Sequence, residues 1–269
     1  RVERMKTGRA FAGALAGWTL LEREVVRFLR QRNRMIGALA TPLIFWLMLG
    51  QGMGSSFRAA GQGGGDYLEY FFPGMILLVV LFTSIFSTIS IIEDRREGFM
   101  QGVLASPAPE WAIVLGKVFG GTVLSVLQAA LLLCLAPLIG IRLGLVGPAL
   151  FLAAVAAVAL GLTALGHALA WRSDSVQGYH AIMNVFLMPL WLLSGALFPV
   201  EGAAGWIKWV MILNPVHYGH ALLVHSLYPM TDHVRVADGP LSALVVGVFG
   251  LVMFGIAILV TRDRRPLES

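Results

Sequence analysis

Six long stretches of this chain contain no Asp, Glu, Lys or Arg: Ile36–Met53, Met75–Ile92, Val118–Ile139, Val146–Ala170, Ala181–Val200 and Leu241–Thr261. A helix needs about 20 apolar residues to cross a hydrocarbon core. Inside lipid the backbone must satisfy its own hydrogen bonds, which leaves the helix as the fold of each stretch. The expected class is therefore an all-α membrane protein with six transmembrane helices. Composition agrees, because only 13% of residues are charged and 57% are hydrophobic, against about 25% charged in an average soluble domain. A water-soluble domain of this length has too little interior for that much apolar surface, so the remainder faces lipid.

Charge asymmetry orients the spans. With six crossings the two ends lie on one side of the membrane. That side collects nine Lys and Arg before residue 35, with Arg95, Arg96, Lys117, Arg172, Arg262, Arg264 and Arg265, a total of sixteen. The other side holds Arg58, Arg142, Lys208 and Arg235. Loops rich in Lys and Arg stay inside, so both termini are expected in the cytoplasm. The first apolar run begins near Ile36, too late for the core of a signal peptide, so no cleavage is expected there. The net charge of +5 does not point to nucleic acid, because the basic residues gather at the ends of apolar runs. The single cysteine, Cys134, lies within an apolar run and reads as small core packing, with no zinc-like spacing around it.

Residues 1–34 read as a cytoplasmic arm and 35–269 as the six-helix membrane domain. Placed on a helical wheel, residues 15–34 put Arg23, Arg27, Arg30 and Arg34 in one stripe, opposite Leu15, Trp18, Leu21, Val25, Phe28 and Leu29. Such a basic amphipathic helix lies on an anionic lipid surface or acts as a lever against a soluble partner; periodicity permits both. The glycine-rich Gly61–Gly65 is expected to be a flexible external loop. From Glu201 to Pro240 the external segment carries an apolar, aromatic piece, Trp206 to Leu227. It is expected to form interfacial or re-entrant helices between spans five and six.

After span two comes the cytoplasmic segment Glu93-Asp94-Arg95-Arg96-Glu97-Gly98-Phe99, which continues through Val103 and Leu104 to Ser106-Pro107. Five charged residues are followed by apolar ones at i, i+4 and i+5, and Pro107 stops the helix. A short helix tied to the ends of two spans can pass a push from below into the membrane. As a charge run alone, it reads first as a solvated loop.

This segment resembles the cytoplasmic coupling segment of ABC-2 type permeases. Phe72-Pro73-Gly74 opening span two, Ser194-Gly195 with Phe198-Pro199 closing span five, and Asn214-Pro215 with Tyr218 before span six agree with that family in order and spacing. Many members have Gly-Thr where this chain has Gly98-Phe99. The resemblance implies two permease copies in a homodimer, each resting on a separate ABC ATP-binding subunit that binds ATP and magnesium. Contact would run through Glu93, Asp94, Arg95, Arg96, Glu97, Gly98, Phe99 and Leu104 and through the arginines of the N-terminal interface helix. It further implies export of a substrate the sequence does not name, across a bacterial inner membrane. The chain itself contains no Gly-x-x-x-x-Gly-Lys-Ser/Thr loop: Gly116-Lys117 is followed by Val118 and lacks the upstream glycine. A transport subunit without enzymatic activity and without a cofactor of its own is expected.

Within the spans, Gln128, His167 and Asn184 are the polar residues that stand out. Polar groups in lipid usually hydrogen-bond across helices, and Asn184 is the candidate for a substrate path. Gly50/Gly54 and Gly116/Gly120 allow close helix approach. His217, His220, His225 and His233 read as ordinary interfacial histidines, with no metal site expected. Two rival readings exist: an ion-coupled secondary transporter, which commonly places ionisable groups in the membrane, and an intramembrane lipid-modifying enzyme, which needs a convergent catalytic set. His167 is the one ionisable group inside the spans, and no such set is evident.

Overall fold

The protein was analysed as a computed structural model. It describes residues 2–59, 67–105, 109–141, 143–228 and 237–263, with side chains other than those of 2–12, 32–34, 54–59 and 201. Gly61–Gly65, Ser106-Pro107 and His233 therefore lie outside what is described, and Arg34 and Gly54 are described by backbone alone, within the helix Arg32–Ala59; Arg34 is thus not on the helix that carries Arg23, Arg27 and Arg30.

Among the described residues there are ten α-helices and no strand: α1 Val2–Arg30, α2 Arg32–Ala59, α3 Tyr67–Arg96, α4 Phe99–Ala105, α5 Glu110–Leu133, α6 Gly147–Trp171, α7 Val176–Trp191, α8 Gly205–Leu213, α9 Pro215–Leu227 and α10 Gly239–Arg262. Six of them are long and apolar enough to cross a membrane: α2, α3, α5, α6, α7 with its extension to Ala196, and α10. Boundary chemistry is visible at several ends. The Ser175 side chain accepts from Gly178 N to cap α7. Prolines sit at the first positions of α6, α9 and α10, where a missing N–H costs nothing.

α3 is the hub of the bundle. Its most apolar window is 89% buried, and it packs against α2, α5, α6, α7 and α9. By contrast, α10 and α2 bury little of their surface, as expected of helices that face lipid. Hydrogen bonds between helix ends show which ends gather. Arg95, at the end of α3, reaches the carbonyls of Trp171 and Ser173 after α6, and Trp171 Nε1 donates to Asp263 O after α10. This charged end also holds α1 and the starts of α5 and α7. At the opposite end, Trp46 donates to Leu68 O and Tyr67 to Leu197 O.

Four further sequence expectations are corrected. Span two begins at Tyr67, not Met75, so Phe72-Pro73-Gly74 lies within α3; aromatic packing continues the helix past Pro73. Span three is displaced toward its start: α5 runs Glu110–Leu133 and Ala136–Ile139 forms a separate 3₁₀ turn. The helix tolerates Lys117 because that charge is paired, and Pro137 follows where it ends. Glu93–Arg96 are the last turn of α3 and not part of an aqueous loop. Finally, Cys134 is exposed, not packed in the core, because it caps α5 on the outward side.

Span five is interrupted. α7 gives way at Leu192–Ala196 to a π turn in which Gly195 adopts φ +94°. Two helices, α8 and α9, follow it and are separated by Asn214-Pro215.

Candidate functional site

The charged end brings together residues far apart in sequence. On α1, among the residues whose side chains are described, the buried positions are Gly13, Gly17, Leu20, Glu24 and Phe28, a helical stripe that includes one carboxylate. This stripe lies along α5, and the approach is close because both helices offer glycine. A Cβ on Gly116 would stand 2.6 Å from Leu20 Cβ and 2.7 Å from Gly17 O; one on Gly120 would stand 2.9 Å from Glu24 Cβ. Gly116 and Gly120 are thus the seat of α1 on the bundle. Glu24 sits opposite Lys117 of α5, and Lys117 Nζ donates to Glu24 Oε1 at 2.5 Å, to Ser90 Oγ at 3.2 Å and to Asp94 Oδ2. Ser90 Oγ donates to the other Glu24 oxygen at 2.6 Å.

Asp94 is the centre of the cluster. Its side chain is fully buried, and besides Lys117 it accepts two bonds from Arg23 (2.7 and 2.9 Å) and one from Arg27 (2.6 Å). Arg27 also donates to Glu93 Oε2 at 2.9 Å and lies 3.8 Å from Glu97. Three cations thus meet three buried or half-buried anions across α1, α3 and α5, and each Asp94 oxygen accepts charge-assisted bonds. The hydrogen bond to Asp94 raises the Arg23 pKa above its ordinary value. The outer face of the same guanidinium covers the Phe99 ring at 3.7 Å from its centroid.

Phe99 belongs to α4, which follows a turn made by Gly98 at φ +77°. On this short helix Met100 is 1% exposed and Leu104 is half-buried against the core, whereas Phe99, Gln101 and Gly102 face outward. A cleft of roughly 490 Å³ runs between α1 and α4, lined by Ala16, Thr19, Leu20, Gly98, Phe99, Gly102 and Val103. Its lining is mainly apolar.

The eight residues singled out after span two therefore divide into groups. Glu93 and Asp94 point toward α1, with Asp94 sealed inside. Arg95 and Arg96 are directed to carbonyls after α6, Arg96 reaching Asp174 O at 3.2 Å. Glu97 keeps 63% of its side chain exposed, and Gly98 and Phe99 border the cleft. Leu104 turns to the bundle. Of the arginines on α1, Arg23 and Arg27 are in the cluster and Arg30 is exposed. Leu15, Trp18 and Leu29 also face outward, while Phe28 from the same apolar set is buried.

Sequence reading passed over Glu24, Ser90, Met100 and Lys117. The signal that could have found Glu24 and Lys117 was a lone charge on the glycine-bearing face of each helix.

Inside the bundle, Gln128 Oε1 accepts from Thr83 at 2.6 Å, and His167 Nε2 pairs with Thr261 Oγ1 at 2.9 Å. Because the Thr261 hydroxyl donates to Ala257 O, the imidazole is the donor in that pair. Asn184 does not share this arrangement. It lies on the exposed side of α7, beside a narrow groove lined by Phe82, Phe86, His180 and Leu187.

The opposite end is built around the break in α7. Asn214 Oδ1 accepts from Val216 N, and its Nδ2 donates to Leu190 O (2.6 Å) and Leu193 O (3.2 Å). Ser194 O is bonded by His217 Nδ1 at 2.8 Å, Gly195 O by Tyr70 at 3.1 Å and Leu197 O by Tyr67 at 3.2 Å. Gly74 is required by contact: its Cβ would meet Ala196 Cβ at 2.6 Å. Non-helical backbone at membrane depth must find such partners within the protein, which explains why these residue types occur together. His225 bonds Ala237 O, and no group of three His, Cys, Asp or Glu converges among the described residues.

Comparison with known proteins follows the same residues. A family model described as ABC-2 type transporter matches residues 16–228, which takes in the second half of α1, the charge cluster and the broken helix. The chain is 26% identical over 210 residues to a putative transport permease, ycf38, of Cyanophora paradoxa, covering 75% of this chain and 70% of the relative. It is 27% identical over 158 residues to the probable multidrug ABC transporter permease YbhR of Escherichia coli, covering 57% and 42%. To the daunorubicin resistance ABC transporter permease protein DrrB1 of Streptomyces coeruleorubidus it is 26% identical over 206 residues, covering 74% and 70%.

Proposed function

The chain belongs to the ABC-2 type transporter family, and from that premise we propose that it is the permease of an ATP-driven exporter whose energy enters at the charged end. In this reading the charged end faces the cytoplasm, as the sixteen-to-four division of Lys and Arg supports, and the membrane is a bacterial inner membrane. A separate ATP-binding subunit, holding ATP and magnesium, docks against the exposed side of α4 and the cleft beside α1. A second permease copy completes the path, with lipid around both, and Asn184 on the open side of α7 is the candidate contact for substrate.

One observation carries the reading. α1, one of the two helices that border the cleft, is joined to spans α3 and α5 through the buried cluster around Asp94, and Arg23 of that cluster covers the Phe99 ring of α4. A displacement imposed on α1 is passed to both spans, because moving α1 alone would separate buried opposite charges, a change that costs several kcal/mol. Glu97 and Phe99 are the residues of the coupling segment best placed to meet a partner, one exposed and charged, the other half-exposed and aromatic. The rival reading as an ion-coupled carrier gains no support, since the ionisable cluster lies at one end and is internally paired.

The test is Glu97→Arg combined with Phe99→Ala. Reversing a charge in a desolvated interface pair costs about 2–5 kcal/mol, whereas in a solvated segment it stays within about 0.5 kcal/mol. The expected result is loss of the ATP-binding subunit on co-purification and loss of substrate-stimulated ATP turnover in lipid, with the permease still folded and its stability lowered by no more than about 1–2 kcal/mol, the size of the exposed Arg23–Phe99 and Arg27–Glu97 contacts. Full assembly and full stimulation by the double variant would remove the coupling role from residues 93–107.

A further inference from the structure

The break in α7 has its freed carbonyls bonded one by one, yet a neighbouring side chain is left over. His220 of α9 is 1% exposed, and neither of its ring nitrogens finds a hydrogen-bond partner in the protein. A neutral imidazole carries one N–H and one lone pair. Burying both unmet incurs the desolvation of two polar groups, and buried polar groups of folded proteins are nearly all paired with protein or with ordered water.

The surroundings provide partners. Gly195 lets the backbone of the break approach both imidazoles: the point where a Cβ would stand is 3.6 Å from His220 Nδ1 and 3.5 Å from His217 Nδ1. The carbonyls of Ser194 and Gly195 each accept one bond, from His217 and Tyr70. A carbonyl oxygen has two lone pairs, so each retains capacity for a second donor. We propose that one buried water lies among His220, His217 and Gly195 and links a ring nitrogen of His220 to the carbonyls of the break.

A metal ion does not suit the same place. His217 Nδ1 faces a carbonyl oxygen and must carry its proton there, so that nitrogen has no lone pair to coordinate with. Among the described residues no third His, Cys, Asp or Glu joins the two histidines, whereas zinc sites draw three or four protein ligands. Water has the donors and acceptors that the imidazole and the carbonyls lack, and two to four polar partners suffice for it. The inference is independent of how the permease is energised. It means that α9 grips the break twice, directly through His217 and through water from His220, and a water-mediated bond is nearly as favourable as a direct one.

The experiment pairs a structure of the permease in lipid, at a resolution that shows ordered water, with thermal unfolding of His220→Leu and His220→Gln. The proposal expects a solvent peak within hydrogen-bond distance of a His220 nitrogen and of Ser194 O or Gly195 O. It also expects His220→Leu to lower the midpoint while His220→Gln, which keeps a donor and an acceptor, retains most of it. A dry site gives the reverse order, because leucine then removes unmet polar atoms and glutamine does not. That order would overturn the proposal, and so would a metal in the purified protein that His220→Leu abolishes.

Discussion

Lys117 is surrounded by Glu24, Ser90 and Asp94 with 2% of its side chain exposed. Its two carboxylates do not depend on it equally. Asp94 keeps Arg23 and Arg27 if the ammonium is removed, whereas Glu24 keeps only the Ser90 hydroxyl and an Arg23 nitrogen at 3.5 Å. Lys117→Met is therefore expected to destabilise the protein by about 3–5 kcal/mol, the usual consequence of leaving a buried charge without its partner. Adding Glu24→Leu removes that orphaned charge, and the double variant is expected to recover at least half of the loss. Thermal unfolding in lipid nanodiscs measures both. If the double variant is no more stable than the single one, the Glu24–Lys117 pair does not hold α1 in place.

At the scale of elements, the break in α7 and the helix pair α8–α9 form one unit, because Asn214 serves both sides. Its carbonyl caps α9 and its amide closes two carbonyls of the α7 terminus. Asn214→Asp separates these roles: the carboxylate keeps the cap but turns an acceptor toward the oxygens of Leu190 and Leu193. Serine keeps the cap as well and leaves the two carbonyls without the amide, whereas the carboxylate sets a buried unmet acceptor against them, a further cost of about 1–3 kcal/mol. Asn214→Asp is thus expected to be more damaging than Asn214→Ser, by 1 kcal/mol or more as an order of magnitude, in thermal midpoint and in folded yield. Because serine also supplies a capping oxygen and also lacks the amide, equal loss in the two variants would show that an acceptor facing the oxygens of Leu190 and Leu193 does no harm beyond the missing amide.

For the whole molecule the decisive property is which end faces the cytoplasm. In a Cys134→Ser background, a cysteine at position 97 is expected to resist a membrane-impermeant thiol reagent applied to intact cells, and a cysteine at 208 to react. Both positions lie on the surface of the chain and carry charged side chains, and they sit at opposite ends of the bundle. Labelling at 97 would invert the topology and remove the basis for energy entering at the charged end. The six spans were legible in the sequence because charge avoids lipid regardless of how helices pack. Their edges were less so, since a paired charge such as Lys117 can lie two turns inside a helix.

Local chemistry in the sequence determined the helical class, the number of spans and the presence of a helix carrying Arg23, Arg27 and Arg30 before span one, because each depends on hydropathy or periodicity within a short window. Coupled groups far apart in the chain were decided only by tertiary structure. Arg23 and Asp94 are 71 positions apart and Lys117 and Glu24 are 93 apart, and nothing local distinguishes Asp94, fully buried, from Glu97, largely exposed, three residues on. Ser194-Gly195 and Asn214-Pro215 could be read as markers, but not as two sides of one hydrogen-bonded break. Long-range pairing has this property in general: the partner that makes a buried charge or an open carbonyl tolerable is supplied by the fold, and its identity is absent from the neighbouring sequence.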